Sequence, residues 1–109
     1  MMESRDFGRA QKQGERFVKG CLIANWLRLP EGASPRLGVI TSKRVGPAVV
    51  RNRARRYLRE SFRLHQHELS HPIDLVLVAR PSIAGKDFHG VEHDFLAALQ
   101  QKRLLAPSS

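Results

Sequence analysis

Cysteine occurs once in the 109 residues, at Cys21, so no internal disulfide can staple the chain. It sits in the apolar run CLIANWL, which reads as a buried core thiol in a reducing compartment. No apolar stretch approaches the roughly 20 residues that cross a bilayer. The N-terminal MMESRDFGRAQKQG carries no apolar signal segment, so a soluble, cytoplasmic protein is expected, with no membrane partner. Acidic residues are scarce, 10 against 19 Lys and Arg, and they are scattered without metal-ligand spacing. A nuclease carrying two metal ions on its own side chains needs clustered carboxylates, so a protein-borne catalytic centre is not expected. Repeats and low-complexity tracts are absent as well.

What remains is enough apolar material for one core. At 41% hydrophobic, with runs at CLIANWL and IDLVLVA, the chain is read as a single domain over 1–109, ordered from about 5 to 104 and frayed over 105–109. The net charge of +9 and pI of about 11.1 speak of partners rather than fold. Arg outnumbers Lys 14 to 5. A guanidinium grips phosphate through two parallel hydrogen bonds and stacks on bases, which points to nucleic acid.

Periodicity supplies the elements. Ser4 can cap a helix over 5–13 that Gly14 ends, with Phe7, Ala10 and Gln11 on its inner side. Strands are expected at 15–20, 21–29, 36–43 and 73–80, with a Pro- and Gly-rich turn at 30–35. The third strand is expected to run antiparallel to the second. A helix from 87 to about 104 carries Phe88, Val91, Phe95, Leu96 and Leu99 at helical spacing, with Lys102 and Arg103 matching the dipole at its end.

The central helix, read as 51–66, has an apolar stripe at Ala54, Tyr57, Leu58, Ser61 and Phe62. Arg55, Arg59 and Arg63 form a second stripe, with Arg53 and Arg56 beside it. Steps of four residues advance about 6 Å, close to phosphate spacing along a strand. From Lys43 to Arg63 there are eight basic residues and one acid, Glu60, which can pair with Arg56 or Arg63. A merely wet surface normally mixes signs, so a polyanionic partner accounts better for this imbalance. Asn52 near the start can serve as a cap.

The stretch KRVGPAVVRNRARRYLRE, residues 43–60, resembles the signature of the bacterial ribonuclease P protein subunit. The similarity rests on Lys43, Val45-Gly46, Ala48-Val49, Arg51-Asn52-Arg53, Arg55-Arg56 and Arg59-Glu60. It extends to Asp6-Phe7, Gly14, Arg16, Arg36, Gly38, Ser42, Asp74 and Arg80. The resemblance implies an α/β (α+β) two-layer sandwich in the order α-β-β-β-α-β-α. Its four-stranded mixed sheet would have a left-handed βαβ crossover, against the usual hand, like the second domain of a small ribosomal-subunit protein. Gly46-Pro47 suits the turn that begins such a crossover.

The activity implied is removal of the 5′ leader of precursor tRNA by phosphodiester hydrolysis. Mg2+ would lie on the catalytic RNA subunit and not on the protein. No residue of this chain is expected to be catalytic or to bind metal, and no protein partner is required. Arg53, Arg55, Arg56, Arg59, Lys43 and Arg44 are assigned to the RNA subunit. Phe7, Gln11, Asn25, Arg51 and Asn52 are assigned to the leader of precursor tRNA. Where the family commonly has aromatics for stacking, this chain has Gln11 and Asn25, so leader contact is expected to be more polar. His67 and His71, and His89 and His93, are spaced by four, but neither pair has a third ligand, and zinc is not expected. An alternative is a non-catalytic RNA-binding module such as a ribosomal protein or assembly factor.

Overall fold

Alternating apolar residues lay down four strands, β1 (Glu15–Lys19), β2 (Leu22–Arg28), β3 (Arg36–Ile40) and β4 (Ile73–Ala79). Among the described residues two amphipathic helices, α1 (Ala48–His65) and α2 (Phe88–Gln101), pack on the sheet. A computed structural model describes residues 12–106. Most of the expected N-terminal helix, with Phe7 and Gln11, lies outside the described residues; Lys12 and Gln13 are helical and Gly14 bends the chain into β1.

The sheet order is β1-β2-β4-β3. β2 pairs antiparallel with β1 and β4, and β3 pairs parallel with β4. So β3 does run opposite to β2, as expected, but β4 lies between them. The physical reason is burial: in IDLVLVA, Leu75, Val76 and Leu77 are wholly buried, and only a central strand hides both faces. The chain therefore crosses over through α1 and inserts β4 beside β2.

One face of the sheet presents Leu22, Ala24 and Trp26 together with Leu75 and Leu77. The helices cover it with Ala54, Leu58 and Phe62 from α1 and Val91, Phe95 and Leu99 from α2. On the other face Val76 packs with Ile40 and Val78. There Arg36 also grips the buried Asp74 through two hydrogen bonds, Nε to Oδ1 at 2.7 Å and Nη2 to Oδ2 at 2.6 Å. This bidentate pair joins β3 to β4 across their first register position.

The β1–β2 hairpin is anchored to α2. Gly20 turns with φ +54, and a Cβ there would stand 2.1 Å from Asp94 Oδ2. Asp94 instead accepts the backbone N–H of Cys21 at 3.0 Å. Burial works against the Asp94 carboxylate, but the Cys21 N–H and thiol, Lys86 and His93 outweigh it and hold its pKa below the ordinary value. Burial, and then the Asp94 carboxylate, push the Cys21 thiol up to about 12. The thiol therefore stays protonated and inert, the buried core role read from sequence.

His65, at the last turn of α1, joins the helices. Its Nδ1 meets Glu68 and its Nε2 lies 2.8 Å from Glu92 of α2. Burial lowers its pKa, but the two carboxylates more than compensate, and the net direction is upward. A His pKa raised by folding contributes stability that is full below the unfolded value of about 6.5 and is lost as pH rises through the folded value. Thermal unfolding should therefore fall by a few degrees between pH 6 and pH 8. Glu92→Gln should flatten that dependence, and a titration of the His65 ring by NMR should place its pKa above that of an exposed histidine.

Of the tail expected to fray, 107–109 lie outside the described residues, and Leu105 and Ala106 differ from expectation. Leu105 bridges Leu69, and the Ala106 N–H donates to the Glu68 carbonyl at 2.6 Å, so these two residues are held rather than frayed.

Candidate nucleic-acid interface

The basic helix begins earlier than its periodicity suggests. Gly46 has φ 143, a conformation glycine favours, and Pro47 at φ −61 occupies the N-cap position. The Pro47 carbonyl accepts the N–H groups of Val50 and Arg51, both at 3.0 Å. The helix thus starts at Ala48, and Asn52 is its fifth residue, not its cap. Asn52 Oδ1 instead accepts from Arg55 Nη2. Before this helix, Lys43–Val45 form a 3-10 turn. Val45 is buried and anchors the turn, which leaves Lys43 and Arg44 exposed.

Helical geometry then sorts the cations. Ala54, Leu58, Ser61 and Phe62 are buried, as their stripe predicts. Arg53, Arg56, Arg59 and Arg63 are exposed on the outward arc. Arg51 and Arg55 lie on the flank toward β3 and are half-buried. Arg55 Nη1 donates to Thr41 Oγ1 at 2.8 Å, tying the helix to the chain just past β3. Arg51 Nε is shielded from solvent and has no hydrogen-bond acceptor among the described residues. Such an orphaned donor is costly unless an incoming oxygen satisfies it. The opposite flank closes on α2, where Tyr57 meets Phe88 edge-on at 5.8 Å. Arg56 lies over the Tyr57 ring, 5.8 Å from its centroid.

One acid interrupts this surface. Glu60 pairs with Arg63 through Nε to Oε2 at 3.1 Å, and both are exposed. The hydrogen bond to Arg63 holds the Glu60 carboxyl below its usual pKa and raises that of Arg63. The first turn of α1 has no acid, so the positive end of the helix dipole adds to Lys43, Arg44 and Arg51. The result is a continuous basic ridge from the 3-10 turn along the outward arc.

The other assigned residues divide between layers. Arg51, Asn52 and Arg55 come together beside Thr41. Asn25 lies on the sheet face away from α1, across from Arg16 and Val76, and is only 3% exposed. Thr41 was not singled out from sequence; an isolated Thr after a strand carries no signal for the arginine that reaches it 14 positions later. Among the described residues no group of three or more His, Cys, Asp or Glu is placed to hold a metal ion. None of the helices among the described residues is long and apolar enough to cross a membrane. Chemically, the ridge can bind phosphates and order a polyanion.

Comparison with known proteins agrees with this geometry. The Ribonuclease P family model matches residues 1–103. The ribonuclease P protein component of Syntrophomonas wolfei is 36% identical over 105 residues, covering 94% of this chain and 86% of the relative. That of Lachnoclostridium phytofermentans is 31% identical over 108 residues, covering 99% and 92%. The solved RNase P protein of Staphylococcus aureus shares the fold, with a TM-score of 0.86 at 24% identity over 96% of this chain and 95% of that one. A long, specific basic motif, the same sheet and helices, and similarity along nearly the whole length converge, and the chain belongs to the ribonuclease P protein family.

Proposed function

We propose that this chain acts as the protein subunit of ribonuclease P, binding the catalytic RNA through the basic ridge and assisting removal of the 5′ leader from precursor tRNA. The observation that carries the reading is the ordered ridge itself. Four exposed arginines share the outward arc of one helix whose other side is locked into the core. Arg53, Arg55, Arg56 and Arg59, with Lys43 and Arg44, contact phosphates of the RNA subunit. Arg51 and Asn52 form the part of the surface that meets precursor tRNA, with Phe7 and Gln11 as the remaining leader contacts; Asn25, assigned to the leader by the family resemblance, is only 3% exposed and is not offered to a strand in this arrangement. The unsatisfied Arg51 Nε supports that assignment, because it supplies a donor where a strand oxygen would arrive. Mg2+ belongs to the RNA partner in this reading, and the protein supplies positive charge and positioning. The compartment is the cytoplasm.

Reconstitution tests this directly. Precursor tRNA is incubated with the RNA subunit at low magnesium, with and without the chain. Added protein should lower the magnesium needed for 5′ cleavage, and protein alone should cleave nothing. An unchanged reaction would instead favour a non-catalytic RNA-binding module of another assembly, and cleavage by protein alone would point to a nuclease.

A further inference from the structure

At the end of the strands away from Lys43 and Arg51, four segments converge on a cleft of about 280 Å3. Glu15 comes from β1, Trp26 and Arg28 from β2, His71 from the approach to β4, and Lys102 and Arg103 from the end of α2. The length of β4 places this cleft about 20 Å from the start of the basic helix. In the sequence Lys102 and Arg103 read only as complements to a helix dipole. That reading does not account for Arg28, which arrives at the same concavity from 74 positions earlier than Lys102.

Three permanent cations face one carboxylate here, and the charges are not spent on each other. Among the described residues neither Arg28 nor Arg103 has a carboxylate partner. Arg28 Nη2 instead lies 2.8 and 2.9 Å from the two ring nitrogens of His71. Lys102 rests over the Phe17 ring, 4.8 Å from its centroid. Like charges gathered in a concavity repel unless an anion joins them.

The backbone points the same way. After α2 the Arg103 N–H donates to the Gln100 carbonyl at 3.1 Å and the Leu104 N–H to the Leu99 carbonyl at 2.8 Å. This is a Schellman closure, whose left-handed position is usually glycine. Here it is Arg103, with φ 58, alone among non-glycine residues described in having positive φ. A side chain held where glycine would be less strained is a candidate for a role of its own.

We propose that this cleft is a second phosphate site, which takes a phosphodiester group of an RNA strand on Arg28, Lys102 and Arg103, with Trp26 as its floor. Its volume lies just below the range of about 300–1,000 Å3 typical of small-molecule pockets and is ample for a phosphate group. The site stands on residues apart from the α1 ridge, so either can fail without the other.

Trp26 is the chain's one tryptophan and reports on the cleft. The full chain is titrated with pentauridylate, uridine 5′-monophosphate, inorganic phosphate and uridine while Trp26 emission is followed. Pentauridylate should change the emission saturably, inorganic phosphate and the mononucleotide only weakly, and uridine not at all. Arg28→Ala should weaken pentauridylate binding about three- to tenfold and lower the slope of log affinity against log salt by about 1. Arg103→Gly should weaken it similarly while raising the unfolding temperature by a few degrees, so lost binding cannot be a folding defect. Arg56→Ala/Arg59→Ala should keep the Trp26 response. The proposal is overturned if pentauridylate leaves Trp26 emission unchanged, if Arg28→Ala and Arg103→Gly bind as the parent does, or if the α1 variant alone abolishes the response. Mononucleotide binding as tight as pentauridylate would likewise overturn it as an RNA contact.

Discussion

Replacing Arg53, Arg56 and Arg59 together by alanine lowers affinity for the RNA partner by about 100-fold at moderate salt. It also flattens the slope of log affinity against log salt by about 3. These three side chains are exposed on one arc of α1. Each phosphate they neutralise releases condensed counterions, so the loss is largest at low salt and shrinks as salt rises. Alanine is the best helix former, and removing like charges relieves repulsion, so helicity and unfolding temperature should hold or rise. Arg55→Ala is a different experiment. It cuts the bond to Thr41 as well as a charge, and its effect mixes lost binding with a loosened helix. Equilibrium binding over a salt series distinguishes the two, and an unaltered slope in the triple variant would remove these arginines from the interface.

Gly20→Ala destabilises the protein by about 2–4 kcal/mol, combining left-handed backbone strain with the loss of a buried hydrogen bond. The added Cβ would sit 2.1 Å from Asp94 Oδ2 and 2.4 Å from its Cγ. Asp94 cannot simply swing away, because it is buried and bonded to the Cys21 N–H. Moving it strands that N–H in the core and uncouples the β1–β2 hairpin from α2. The unfolding temperature should drop by about 10–25 °C for a domain of this size. Reversible thermal denaturation measures it, and a drop of only a degree or two would mean that the contact yields cheaply. Asp94→Asn in the Gly20→Ala background should recover little, since the clash is steric and the carboxylate's charge is not its cause.

The apolar stripe of α1, most of its guanidinium arc and all four strands were legible in advance; Arg55, read as part of the outer row, instead lies half-buried against Thr41. Periodicities of 3.6 and 2 and runs of one charge are properties of neighbours along the chain. The motif at 43–60 was legible for the same reason, being contiguous. The start of α1 was misplaced by three residues, because Pro47 supplied the end that Asn52 was expected to cap. Asn25 was assigned to the leader by the family resemblance; its burial depends on what lies over the sheet.

Strand order, the seating of β4 between β2 and β3, and the lock of Asp94 on Cys21 across 73 positions belong to the folded chain. So does the gathering of Arg28 with Lys102 and Arg103. Each depends on which surfaces bury together, and that choice is made by the whole core at once. No window of adjacent residues contains it. The amino-acid order settled the chain's charge, its element types and its family likeness. Three-dimensional closure settled which arginines are free to grip an anion, because only packing decides what is left facing water.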